Sequence, residues 1–188
     1  MDKAISFSED KPLVVEEPKE KEMKLVDASE FEGKVADDVI PSDLEEIYVL
    51  AQEMVKFAHA RGGIGLTLPQ IGINKKAFVM LDKEDQWIMV INPEYFGTGK
   101  KSFVYERSLS YKEVYKLQRY KKINAAYFTI DTKNDQLIMK KNYRMLSGLR
   151  SFVFQNFVDI LNGETGRTKG EKLSWKEEYL AGLKKEDE

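Results

Sequence analysis

Apolar residues first recur at helical spacing between Leu44 and Ala58, where Leu44, Ile47, Ala51, Met54, Val55 and Ala58 share one face of a 3.6-residue repeat. Ser42 precedes this stretch with Glu45 three residues later, a capping-box spacing, and Pro41 stands just before. Gly62-Gly63 closes it, because glycine accepts the left-handed backbone of a helix stop. The pattern then changes to short apolar runs parted by polar turns. Residues 77–81 and 87–91 read as strands flanking the loop Asp82-Lys83-Glu84-Asp85-Gln86, the second closed by Asn92-Pro93. Residues 102–105, 126–131 and 137–139 read as further strands, the last two joined through Lys133-Asn134-Asp135. Helical spacing returns from about 142 to 161, where Leu146, Leu149, Val153, Phe157 and Ile160 mark an inner side and Asn162-Gly163 the stop. Strands that cluster between helices predict an α+β fold, with antiparallel or mixed sheets around a central long helix. There is no internal repeat.

The flanks differ in texture. Residues 1–36 are charged and broken by prolines, as in Lys11-Pro12 and Glu17-Pro18, with small apolar islands at Phe7, at Leu13, Val14 and Val15, at Leu25, and at Phe31. Such composition reads either as a disordered tail or as an extended arm that docks by strand addition. Residues 37–165 hold the domain. Residues 166–188 form a charged tail with a short helical pattern around Trp175, Tyr179 and Leu183.

Composition narrows the chemistry. At 188 residues and 42% hydrophobic, the chain holds one ordinary domain plus extensions, and 30 basic against 32 acidic residues leave a net charge of -2. No apolar run approaches the roughly 20 residues that span a bilayer. The first residues lack an apolar stretch with a cleavage site, so the expected location is cytoplasmic or virion. Cysteine is absent and His59 is the single histidine, which removes disulfides, thiolate catalysis and cysteine metal sites together. His59 falls in the last turn of the first helix, where a cation is favoured by the dipole. A Ser108–His59–Asp159 triad is not favoured, since nothing places that imidazole beside Ser108. Residues 111–122 interleave tyrosines with lysines, as single-strand binders do. The slightly acidic chain has no basic face elsewhere, so an exposed strand or loop is expected there and nucleic acid is not an expected partner.

Three segments carry the remaining signal. They are Gly63-Ile64-Gly65-Leu66-Thr67-Leu68-Pro69-Gln70-Ile71-Gly72, Glu106-Arg107-Ser108-Leu109-Ser110, and Gln155-Asn156-Phe157-Val158-Asp159-Ile160-Leu161-Asn162-Gly163. Val90-Ile91-Asn92-Pro93-Glu94 and Arg119 lie between them. In order and spacing they resemble the peptide deformylase motifs G-x-G-L-A-A-P-Q-I-G, E-G-C-L-S and Q-H-E-x-D-H-L-x-G, over about residues 38–165. The resemblance implies a metal-dependent hydrolase that removes the formyl group from nascent N-formylmethionine. Its metal is held by the cysteine of the second motif and both histidines of the third, and a glutamate handles the water proton. Position by position these become Ser108, Asn156, Ile160 and Phe157. The family's glutamine is retained as Gln70, and the leucine whose N–H helps hold the oxyanion as Leu109.

A zinc or iron site needs nitrogen, thiolate or carboxylate donors converging on one point. A catalytic metal lowers the pKa of its water to about 7 from 15.7, whereas oxyanion donors alone contribute about a hundred- to a thousandfold. The expectation is therefore a catalytically inactive deformylase-like protein without metal or cofactor. It would serve as a structural or interaction module, such as a bacteriophage virion or assembly component, binding other protein chains through its N-terminal arm. Gly65, Gln70, Ser108, Leu109, Gln155, Asn156, Phe157 and Ile160 would line a vestigial pocket plugged by Phe157. Thr67 and Leu68 replace paired alanines and narrow the cleft, and Arg107 replaces a glycine and crowds a peptide groove. Glu106 and Arg119 form either a buried ion pair or unrelated surface charges. Two alternatives stand beside this reading: a divergent metal-dependent peptide deformylase or hydrolase with altered ligation, and a nascent-peptide or ribosome-associated binder.

Overall fold

The structure is a computed structural model that describes residues 23–82 and 86–183. Its centre is one antiparallel sheet of six strands. Strands β1 (Gly65–Thr67), β2 (Ala77–Leu81), β3 (Trp87–Ser108), β4 (Tyr111–Lys133) and β5 (Gln136–Ser147) lie in that spatial order, and β6 (Glu171–Lys172) pairs with β4. Strand β2 explains why one short run is apolar throughout. Ala77 and Val79 pack with helix α1 (Leu44–His59) on one side, while Phe78 and Met80 pack with helix α2 (Leu149–Leu161) on the other. A strand covered on both faces needs apolar residues at successive positions, not alternate ones.

Helix α1 lies over its strand neighbours through Leu44, Ile47, Met54 and Ala58, the face its spacing marks. Its entry differs from the Ser42–Glu45 expectation. Pro41–Asp43 winds as a 3₁₀ turn, and Asp43 Oδ2 accepts from Ile40 N–H at 2.9 Å and from Lys75 Nζ at 2.8 Å. A carboxylate one residue later thus serves the terminus. The glycine stop is as expected: Gly62 sits at φ 66°, and Gly63 N–H donates to Ala58 O at 2.9 Å.

Two strands far exceed the runs that mark them. Residues 87–91 and 102–105 are both parts of β3, and the lysine-tyrosine segment 111–122 is the first half of β4. Their pairing shifts register three times, between Ile91 and Glu94, Thr98 and Lys101, and Glu106 and Ser108. At the first shift Asn92 adopts φ 46°, and its amide clamps the Val39 backbone, accepting from N–H at 2.8 Å and donating to O at 2.9 Å. Asn92-Pro93 therefore bends a strand rather than ending it.

The helix expected over 142–161 is a strand followed by a shorter helix. Strand β5 continues to Ser147, with Leu146 buried opposite Ile123, and α2 begins only at Leu149. Gly148 at φ 61° makes the break between them. Leu146 fits a helical repeat with Leu149 and Val153, but it fits a strand's inner face equally well.

Residues from Met23 onward belong to the packed body. Ala28 and Phe31 are buried in the α2-side core, Leu25 packs into the α1-side core, and Val26 N–H donates to Gln70 O at 2.9 Å. Phe7, Leu13, Val14 and Val15 lie outside the described residues. After α2, helix α3 (Gly166–Lys169) and β6 lead into α4 (Trp175–Leu180). No helix among the described residues is long and apolar enough to cross a membrane.

Candidate functional site

The three motifs meet between β1, the β3–β4 turn and α2, around a cavity of about 590 Å³. Its floor is buried, formed by Gly65, Gln70, Phe157 and Ile160, while Arg61, Tyr105, Arg107 and Leu149 are exposed at its rim. Ser108, Leu109 and Asn156 line it between these levels.

Phe157 is 7% exposed and belongs to the α2-side core. Its ring lies on Gly65, where an added Cβ would come within 2.2 Å of Phe157 Cε2, and it packs against Phe78 with centroids 5.1 Å apart. The absent side chain at Gly65 makes room for the ring, and the cavity remains open beside it.

Gln70 is 2% exposed and fully engaged. Its Oε1 accepts from Thr67 N–H at 3.0 Å and Thr67 Oγ1 at 3.1 Å, and its Nε2 donates to Ser108 Oγ at 3.2 Å and Ser110 Oγ at 3.4 Å. The side chain ties β1 to the β3–β4 turn. Ser108 Oγ also accepts from Ser110 N–H at 3.1 Å. With two donors already directed at that oxygen, the hydroxyl's own proton is available for a third bond. Asn156 Oδ1 is buried and has no hydrogen-bond partner.

Gln155 is brought not to the cavity but to the β4 backbone. It accepts from Tyr120 N–H at 2.9 Å and donates to Tyr120 O at 2.8 Å, the pattern of a strand neighbour supplied by a side chain. His59 lies at the exposed end of α1 and does not line the cavity.

Beneath the second motif lies a charged cluster. Arg119 Nε and Nη2 donate to the two oxygens of Glu106 at 2.7 and 2.8 Å, and Nη1 donates to Asp159 Oδ2. Lys169 Nζ donates to Asp159 at 2.8 Å and to Glu164 at 2.8 Å. Burial alone would lower the Arg119 pKa. The bonds to Glu106 and the charges of both carboxylates outweigh it and hold the guanidinium above its ordinary value. Of the two sequence readings of Glu106 and Arg119, the buried pair is the one observed. The part of Asp159 was missed, although a lone carboxylate between Val158 and Ile160 on an apolar helix was its signal. Nearby, burial pushes the Tyr111 hydroxyl up to about 12, against the Gly166 N–H bond that lowers it.

Among the described residues no three His, Cys, Asp or Glu side chains converge as a metal site.

Comparison with known proteins decides the family. The polypeptide deformylase family model matches residues 29–172. The chain belongs to the polypeptide deformylase family. It is 32% identical over 114 residues to the peptide deformylase of Thermotoga petrophila, covering 60% of this chain and 65% of the relative. It is 34% identical over 125 residues to that of Synechocystis sp., covering 63% of each chain. The matches thus span less than two thirds of these relatives' lengths. Among solved structures, the Thermotoga maritima peptide deformylase superposes with a TM-score of 0.62 at 28% identity, covering 71% of this chain and 86% of that one. The Synechococcus elongatus enzyme in complex with actinonin superposes at 0.69 with 23% identity over 90% of this chain and 87% of that one, a likeness of fold. The deformylase-like fold, an antiparallel sheet with several helices, is thereby established. These relatives are named as enzymes, and the cavity is open rather than filled. Together they overturn the expectation of an inactive structural or virion module.

Proposed function

We propose that this chain is a divergent deformylase-type hydrolase, acting on the formylated N-terminal end of peptides. The observation that carries the reading is the open cavity of about 590 Å³ at the meeting point of the three motifs. A mostly apolar cleft of this size with a few convergent polar groups is the usual form of a ligand site.

The residues present do not fit the metal that the family resemblance implies. A hydroxyl at Ser108, an amide at Asn156 and an alkane at Ile160 stand at its three ligand positions, and a phenyl at Phe157 in place of its glutamate. Zinc and ferrous iron take imidazole, thiolate and carboxylate donors.

This chain's own residues supply binding and orientation. Ser108 offers a hydroxyl proton whose oxygen is already held by Gln70 and Ser110. Asn156 offers an acceptor that is buried without a partner, a state that costs about 1–3 kcal/mol and that a ligand N–H relieves. One donor and one acceptor match the C=O and N–H of a formamide. The Leu109 N–H on the adjoining turn supplies a second donor to the carbonyl oxygen, in the family's manner. Phe157 and Ile160 keep the reacting group out of bulk water, which strengthens each of these bonds.

The test is formate release from an N-formyl-Met tripeptide by the purified full chain, run beside calorimetric binding of the same peptide, with and without added zinc, ferrous iron or nickel. We expect saturable binding that weakens in Asn156→Leu, and formate release above the buffer rate. Release no faster than buffer under every metal condition refutes the hydrolase; absence of binding refutes the assignment of substrate.

A further inference from the structure

Arg107 Nη2 donates to the Leu183 carbonyl at 2.6 Å, and both residues line the candidate cavity. The bond joins positions far apart in sequence, and a series of local devices builds it. Pairing of β6 with β4 returns the chain to the β3–β4 hairpin, and Leu173 N–H donates to Val114 O at 3.0 Å. Ser174 and Glu177 then cap α4 reciprocally, while Leu173 and Glu178 are buried beneath it. Gly182 at φ 70° closes the helix, with Gly182 N–H on Tyr179 O and Leu183 N–H on Glu178 O, both at 2.9 Å. This is a Schellman closure, which glycine alone adopts without strain. It turns the chain so that the Leu183 carbonyl meets the guanidinium.

The mouth of the cavity is rich in donors. Arg61 and Arg107 both line it, and the one acid among its described lining residues, Glu106, is spent on Arg119. Arg61 is itself occupied, lying 3.4 Å over the Phe57 ring and donating to Phe57 O at 3.3 Å. Arg107 is held by the Leu183 carbonyl at a solvent-exposed bond. A neutral carbonyl is a weaker partner for a guanidinium than a carboxylate, which accepts through two oxygens.

We propose that the Gly182-Leu183 turn that ends α4 is a lid latched at the mouth of the cavity by Arg107, and that Arg107 selects ligands presenting a carboxylate in place of the Leu183 carbonyl. The peptide half of this statement rests on the function proposed above; the latch does not. A bound peptide's free carboxylate takes the guanidinium and releases Leu183, so ligand entry and lid opening are one exchange. Arg107 thereby sets ligand preference at the end remote from the formyl group.

Two measurements on the full chain test it. Without ligand, hydrogen exchange at the Gly182 and Leu183 amides reads the latch. Removing its one hydrogen bond in Arg107→Met quickens exchange there by about threefold to tenfold, and Arg107→Lys recovers part of the protection. Unchanged exchange overturns the latch. Should Arg107→Met fail to fold, Gly182→Val, at a positive φ with open space around it, releases the same turn. With ligand, calorimetry compares an N-formyl-Met tripeptide as free acid and as C-terminal amide. Wild type prefers the acid by about threefold to tenfold, and Arg107→Met loses the preference while binding the amide more tightly than wild type does. Equal wild-type affinities overturn the selection while leaving the proposed function intact. If neither peptide binds any form, the proposed function and the selection fail together and exchange alone decides the lid.

Discussion

Replacing Arg119 by methionine measures how much of this fold rests on the charge cluster under the second motif. Arg119 Nε and Nη2 hold both oxygens of Glu106 at 2.7 and 2.8 Å and Nη1 holds Asp159, and the three side chains are only 4–8% exposed. Methionine preserves the length and apolar stem of the side chain but removes every donor. Lys169 still reaches Asp159 at 2.8 Å, whereas Glu106 loses both of the bonds that Arg119 gives it. Removing one partner of a buried pair costs about 3–5 kcal/mol, because the remaining charge is buried without compensation. At a urea slope of about 2 kcal/mol/M this lowers the unfolding midpoint by about 2 M, read from the fluorescence of Trp87 and Trp175. Adding Glu106→Gln separates lost charge pairing from lost packing, because it removes the uncompensated carboxylate and recovers part of the loss at pH 7. A midpoint shift under about 0.5 M, or no recovery in the double variant, refutes the account.

Two further outcomes follow from the same packing. Gly65→Ala places a Cβ 2.2 Å from Phe157 Cε2 and 2.6 Å from Val79 O; overpacking of this kind costs about 1–3 kcal/mol. Thermal unfolding should register the loss, and Phe157→Leu should recover the part due to the ring but not the part due to the Val79 carbonyl. Tyr111 keeps its proton up to about 12 in the folded chain, above its ordinary 10. The folded state thus holds more protons than the unfolded one in that interval, so stability is unaffected below pH 10 and falls as pH rises from 10 to 12. In Tyr111→Phe that decline should shrink.

The sequence was most legible where one physical cause fixed the pattern. Leu44 to Ala58 could only be an amphipathic helix, and the apolar run of β2 a buried strand. It was least legible where two elements share a pattern. Leu146 satisfies the repeat of α2 and the inner face of β5 alike, and only Gly148, whose positive φ breaks the chain there, distinguishes them. The long β3–β4 hairpin was read in fragments because its outer face carries Phe96, Phe103 and Tyr105 exposed, which spoils a clean polar alternation. In the site, the motifs gave the right neighbours but not their bonding. The bulk of Phe157 is plain in the sequence, whereas the space that receives it depends on Gly65 lying directly beneath. The Arg107–Leu183 contact had no sequence signal, since a backbone carbonyl accepts whatever its side chain.

Most retained motif residues turn out to be structural connections within the chain. Gln70 binds Thr67, Ser108 and Ser110; Gln155 stands in for a strand beside Tyr120; Glu106 and Asp159 share Arg119. A motif frame of this kind reports a fold strongly, because each member is committed to a partner inside the chain. It reports chemistry weakly for the same reason, since a side chain with every donor and acceptor used has nothing left for a ligand. The groups able to act on a ligand are those with uncommitted or exchangeable capacity at the cavity: the Ser108 hydroxyl proton, the buried Asn156 Oδ1, and the Arg107 guanidinium held only by an exposed carbonyl. All three stand where the sequence departs from its family's motifs. Under the function proposed above, the ligands to test are those that bring an acceptor to Ser108, a donor to Asn156 and a carboxylate to Arg107. Substitution at those three positions should change affinity before it changes stability.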